Sequence, residues 1–336
     1  TVETERGVQR YDKLLIATGA TAFAPPVKGL APEDSFLMRT VDDAQRLKGR
    51  LDRGDARSAV VVGASMAGIK VVEVLEKYGV RVCLADLAPH IFPLAAYPEV
   101  SAAIEKRVAK RGIDLRFGAT IDHMELWNGQ KTAVMTDGSV VPADLVSLCI
   151  GTRAATQVVQ GEVDIDRGIL VNERMETSIP GVYAAGDCAS GCDIQSGRHQ
   201  IIGLWANAGC QGTAAAEAML SLPVAYPGTL PHNITHFMDM DFIGFGDVHA
   251  QGEVIRYRSS DFFLYAVRRE GKLALVNIID NHIISGVIKS FMSRRFLGCQ
   301  EPIGAMQRVI LLRSGLNEDV IHLLESAEME GGLAHG

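Results

Sequence analysis

The chain has 336 residues, enough for two or three domains with sizeable cores, and 47% hydrophobic with 22% charged residues is ordinary for a globular protein. No apolar run reaches the roughly 18 residues of a spanning helix, and a formal charge of −7 with scattered basic residues argues against a nucleic-acid or anionic-membrane surface. Six cysteines form neither a secreted disulfide framework nor a CxxC metal pair, so no metal centre and a cytoplasmic location are expected.

In chain order, residues 11–20 predict a short apolar strand ending in Thr18-Gly19, and Thr40 with two acids behind it predicts a capped helix over 40–50. The stretch from Ala59 to Asp86 then reads strand, tight turn, helix, turn, strand. Its turn, Gly63-Ala64-Ser65-Met66-Ala67-Gly68, has the spacing of a dinucleotide-binding fingerprint with serine at the middle glycine. In that pattern Gly63 permits the sharp turn, Gly68 allows close helix–strand packing, and Ser65 sits where backbone meets a pyrophosphate at a helix N-terminus. Asp86 follows Gly63 by 23 residues, where an acid accepts hydrogen bonds from adenosine ribose hydroxyls.

A helix is expected from Pro98 to Lys110, then short strands at 113–118, 132–136 and 145–150 forming a small meander, the last ending at Gly151. Beyond it, Val182 to Ala185 reads as a strand ending in Gly186-Asp187, an acid placed to accept a sugar hydroxyl while the following helix start faces phosphate. Cys188 and Cys192, four apart, would share one face of such a helix; they read either as a redox pair or as packing cysteines. The alanine-rich segment 204–220 is helical by propensity. From about 226 the composition turns to aromatic and β-branched strands, closed by helices at 283–297 and 303–313, and the tail from Glu325 is expected to fray.

Three signatures thus stand in fixed order: LLIATGA; VVVGASMAGIKVVEVL with Asp86 and Gly151-Thr152-Arg153; and TSIPGVYAAGDCA with LWANAGCQG. Together they resemble the pyridine nucleotide-disulfide oxidoreductase family, in particular its branch of NADH oxidases, coenzyme A-disulfide reductases, rubredoxin reductases and nitrite reductase flavin domains, with FIGFGDV opening the last domain. The resemblance implies an α/β chain of two nested doubly wound dinucleotide-binding folds, the first incomplete, plus a C-terminal α+β interface domain. Its domains would be 1–40 with 153–225 for FAD, 41–152 for NAD, and 226–336 for homodimerisation. It implies that Gly63, Ser65, Gly68, Asp86 and Gly151 hold NAD(H). It likewise implies that Thr18, Gly19, Gly186, Asp187, Leu204 and Trp205 line FAD, Trp205 either stacking near a ring or packing in the core. The implied activity passes a hydride from NADH to flavin and electrons on to a disulfide, oxygen or a redox-protein partner; the alternative is a non-catalytic nucleotide-binding or scaffold subunit.

Several departures from the family pattern accompany the resemblance. The first βαβ unit with the FAD fingerprint and redox cysteine is expected upstream of residue 1, supplied by a preceding segment or another chain. Met66 stands where the family often has an aromatic. Lys70 replaces a glutamate of the first helical turn, and reads either as a solvated lysine or as a charge acting near the flavin or on an anionic acceptor.

Overall fold

The computed structural model describes residues 1–326 and divides into two compact units, one comprising Thr1–Thr21 and Thr152–Pro231, the other Ala22–Gly151 and His232–Gly336. Seven α-helices lie among the described residues: α1 (Val41–Asp52), α2 (Met66–Lys77), α3 (Pro98–Ala109), α4 (Trp205–Met219), α5 (Ser285–Phe296), α6 (Ala305–Arg313) and α7 (Glu318–Glu325). None of them is long and apolar enough to cross a membrane. Glu325 closes α7, and the rest of the tail expected to fray, from residue 327, lies outside the described residues.

The larger unit contains a five-stranded parallel sheet in the order Ser35–Phe36, Leu145–Leu148, Ser58–Val62, Arg81–Asp86, Asp114–Phe117. Its middle strands are buried on both faces, which is why they read as near-continuous apolar runs, interrupted only by the buried Ser58 and Ser147, rather than alternating ones. On one face Ala59, Val61 and Leu84 pack with Leu47, Leu51, Val72, Leu75, Val100 and Ile104 of α1 to α3. On the other, Val60, Val62, Cys83 and Ala85 pack with Ile121, Met124, Ala133, Met135 and Val141 of an antiparallel meander. The doubly wound class holds, with three strands covering the second face. The meander itself differs from the sequence expectation, since it is built from Ile121–Trp127, Gln130–Met135 and Val140–Pro142, while 114–117 and 145–148 belong to the parallel sheet. Ile121–Trp127 buries only Ile121 and Met124, three apart, so it lacks the strict period of two that would have announced a strand.

The C-terminal segment packs into the same core. Its sheet, ordered His232–Phe237, Met240–Gly246, Lys272–Ile279, Phe263–Arg269, Glu253–Arg258, is antiparallel throughout. Phe92 sits between Phe237 and Phe242, with ring centroids 5.5 and 5.0 Å away, and Tyr97 stacks on Tyr265 at 4.5 Å. The hairpin between the first two strands turns through Met238 and Asp239, both left-handed at φ 47° and 61° without being glycine.

In the smaller unit Leu14–Ile16 and Val182–Ala184 are parallel neighbours, Leu14 opposite Val182. A four-stranded sheet runs Ile165–Asp166, Gly168–Leu170, Ala189–Cys192, His199–Gln200. Ile16, Ile169, Tyr183, Ala214, Ala215 and Ala218 share its core with α4.

Candidate functional site

The fingerprint turn folds as its glycines require. Gly63 has φ +107°, and a β-carbon on it would lie 2.4 Å from the Cys149 carbonyl oxygen; one on Gly68 would lie 1.9 Å from the Gly63 carbonyl oxygen. Strand, turn and helix are therefore in backbone contact, and only hydrogen fits at these two positions. Ser65, with φ −88°, needs no glycine. Its hydroxyl donates to the Cys149 carbonyl at 3.0 Å and accepts the Gly68 N–H at 3.3 Å, capping α2 and tying the turn to the end of the neighbouring strand. The Met66 and Ala67 N–H groups of the first turn have no intrahelical partner, the arrangement that receives an anion at a helix N-terminus. Asp86 lies beside this turn, accepting the Ala64 N–H at 2.7 Å through one oxygen and the Ala88 N–H at 2.8 Å through the other. Each oxygen retains a lone pair for a hydroxyl donor. Gly151, exposed with φ +108°, follows Cys149 at the end of the adjacent strand.

Lys70 points elsewhere. Its ammonium pairs with Glu73 and donates to the His236 carbonyl at 2.8 Å, so it joins α2 to the hairpin that turns at Met238. Glu73 also accepts from Lys77 at 2.9 Å and from the Met238 N–H at 3.3 Å. Burial pushes the Glu73 carboxyl up, and the donors from Lys70, Lys77 and Met238 more than reverse this, holding it at about 2. Met66 is half-buried and packs against the core of this unit.

In the smaller unit the two parallel strands bring Thr18-Gly19 and Gly186-Asp187 to one carboxyl edge. The Ala185 N–H donates to Ile16 at 3.0 Å, and the Thr18 hydroxyl donates to the Ala155 carbonyl at 2.6 Å. Gly19 and Gly186 are left-handed, φ +68° and +81°. A β-carbon on Gly203 would lie 3.5 Å from the Asp187 carboxylate, so the acid sits against the residue preceding Leu204, the N-cap of α4. No side chain caps α4, leaving its first amides available, and Trp205 at its first position is 97% exposed rather than packed in the core.

The helix expected after Asp187 is replaced by a strand. Ala189 and Ser190 pair with Ile169 and Leu170, and Gly191 and Cys192 pair with Gln200 and His199. Cys188 and Cys192 consequently stand about 13 Å apart along extended backbone, beyond the ~7 Å Cα separation a disulfide tolerates. Cys188 is buried, its thiol donating to Ile16 and Ala185 carbonyls, and burial pushes the Cys192 thiol up. Cys192 thus lacks the low-pKa setting of a reactive thiol, and Cys188 is buried away from any partner thiol. The sequence reading passed over Asn207 and Gln211, buried polar residues on α4. Their signal was two amides four apart in an alanine-rich helix.

Residues 1–212 match the family model described as pyridine nucleotide-disulphide oxidoreductase. An NADH oxidase of Streptococcus pyogenes is 34% identical over 231 residues, 64% of this chain and 50% of the relative. The ferredoxin–NAD(+) reductase component of the biphenyl dioxygenase system of Paraburkholderia xenovorans is 28% identical over 246 residues, 73% of this chain and 59% of the relative. The chain thus spans about half the length of the curated relatives it matches. The water-forming NADH oxidase of Lactobacillus brevis, solved bound to NADH, superimposes with a TM-score of 0.77 at 22% identity, covering 86% of this chain and 68% of that one.

Proposed function

The chain belongs to the pyridine nucleotide-disulphide oxidoreductase family, and from that premise we propose that it is an NADH-dependent flavin oxidoreductase that delivers electrons to an acceptor: a disulfide, oxygen or a redox protein. The observation that carries the nucleotide half is the turn at 63–68, where two glycines bring backbone into contact and Asp86 accepts the Ala64 N–H within the turn. There the Met66 and Ala67 N–H groups receive the pyrophosphate, Asp86 accepts from the adenosine ribose, and Ser65 and Gly151 shape the rim. For the flavin half, Thr18, Gly19, Gly186, Asp187, Leu204 and Trp205 hold FAD. The residues fit, since two strand-end glycines leave room for close approach, Asp187 offers a hydroxyl acceptor, and the uncapped start of α4 offers positive potential. Bound flavin supplies a ring that accepts electrons from NADH and passes them on.

Lys70 is a tie between α2 and the hairpin in this reading, and Cys188 and Cys192 serve packing. The names of the relatives, an oxidase and a ferredoxin reductase, support the breadth of acceptor classes.

With FAD and the expected upstream βαβ segment supplied and unbound flavin removed, the purified protein is expected to retain a flavin band near ~450 nm that bleaches anaerobically on NADH. A band that persists with excess NADH would sink the reading. Asp86→Ala is expected to narrow the preference for NADH over NADPH by roughly tenfold, because the carboxylate that accepts from a 2′-hydroxyl also repels a 2′-phosphate. Equal turnover of both nucleotides by the unaltered protein would refute this assignment.

A further inference from the structure

Behind the Gly186-Asp187 turn runs a buried polar chain. Asn207 and Gln211, one turn apart on α4, are 6% and 2% exposed, and Tyr226 is 5% exposed. The Tyr226 hydroxyl donates to Asn207 Oδ1 and is hydrogen-bonded by the Gln211 side chain. Gln211 Oε1 accepts the Gly186 N–H at 2.8 Å, and Asn207 Nδ2 donates to the Ile202 carbonyl at 3.0 Å, just ahead of the helix start. Tyr226 is itself held by its backbone, whose N–H donates to the Glu173 carbonyl at 2.6 Å. Gly191 makes room for the arrangement, since a β-carbon there would lie 2.7 Å from Gln211 Nε2. Burial pushes the Tyr226 hydroxyl up to about 12, so it stays a neutral donor.

The apolar residues that α4 buries are alanines, Ala214, Ala215 and Ala218. Alanines present shallow ridges, so packing on them leaves a helix more freedom to roll than larger side chains would. Directional bonds at Asn207 and Gln211 remove that freedom, and the same bonds orient the Gly186 N–H and the residues preceding α4. Residues 1–212 match the family model, so Tyr226 comes from outside the matched stretch.

We propose that Tyr226 is a positioning residue of the flavin site, its hydroxyl locking Asn207 and Gln211 so that α4's first amides and the Gly186-Asp187 turn keep a fixed aim. The proposal rests on the reading that this edge holds FAD. The bland competing role is that the hydroxyl only satisfies buried amides, which would cost stability when removed but leave the aim unchanged.

Tyr226→Phe, made in the whole chain, separates the two. Three quantities are read: the FAD dissociation constant, hydrogen exchange at the Gly186 amide without ligand, and the NADH dissociation constant. Positioning is expected to weaken FAD about tenfold and to speed Gly186 exchange by a similar factor, with NADH binding unchanged. Gln211→Met, which keeps the volume and removes the acceptor for Gly186, is expected to act in the same direction, and it carries the test if Tyr226→Phe does not fold. A lower melting temperature with FAD affinity and Gly186 exchange both unchanged would overturn the proposal. If the unaltered chain, with the upstream βαβ segment supplied, takes up no FAD, the flavin reading fails. Gly186 exchange then still reports on the buried chain, and an unchanged rate in both variants rejects its positioning role.

Discussion

Gly68→Ala is expected to abolish measurable NADH binding, a loss of at least about a hundredfold, and to lower the stability of the larger unit by about 3 kcal/mol. The added methyl would lie 1.9 Å from the Gly63 carbonyl oxygen, which is backbone and cannot rotate away. Gly63 has no retreat, because its N–H is bonded to the Ala85 carbonyl at 2.8 Å and its own open face already abuts the Cys149 carbonyl. Helix α2 must therefore lift from the Ser58–Val62 strand. Lifting opens the packing of Ile69, Val72 and Leu75, all fully buried, and displaces the Met66 and Ala67 amides from the position proposed for the pyrophosphate. Calorimetric titration with NADH alongside thermal unfolding checks both parts. Affinity within threefold of the unaltered protein would mean that the nucleotide is held elsewhere.

Glu73→Ala is expected to destabilise the same unit by about 2 kcal/mol at pH 7, with the loss disappearing in acid. Holding the carboxyl at about 2 against an ordinary 4.5 corresponds to ~3 kcal/mol, and the exposed ammonium groups of Lys70 and Lys77 reduce this through screening. Because the folded value is depressed, the stabilisation is fully present above about 4.5 and is lost as pH falls from there toward about 2. Urea unfolding at pH 7 and at pH 3 reads this directly, with the gap between variant and parent shrinking at the lower pH. The variant also removes the acceptor for the Met238 N–H, so the left-handed turn at 238–239 loses the bond that holds it to α2. A gap that is the same at both pH values would assign the loss to packing rather than charge.

Much of this was decided locally and was legible in the residues. Gly63 and Gly68 declare a backbone contact because any β-carbon is excluded there, Asp86 declares its place by spacing, and the capped helix at Thr40 forms a reciprocal capping box with Asp43. The continuous apolar run at 59–62 announces a strand buried on both faces. What tertiary structure decided depended on partners remote in sequence. The segment 189–192 is a strand because residues 169–170 and 199–200 supply its ladder, and that pairing separates Cys188 from Cys192. Lys70 is a tie because the hairpin brings the His236 carbonyl to α2, 166 residues away. Tyr226 meets Asn207 and Gln211 because the chain after α4 turns back along it. Residue type and short spacing fix sterics and local hydrogen bonds, whereas the partner of a long polar side chain, and the pairing of a short strand, are set by which distant backbone the fold carries to its side.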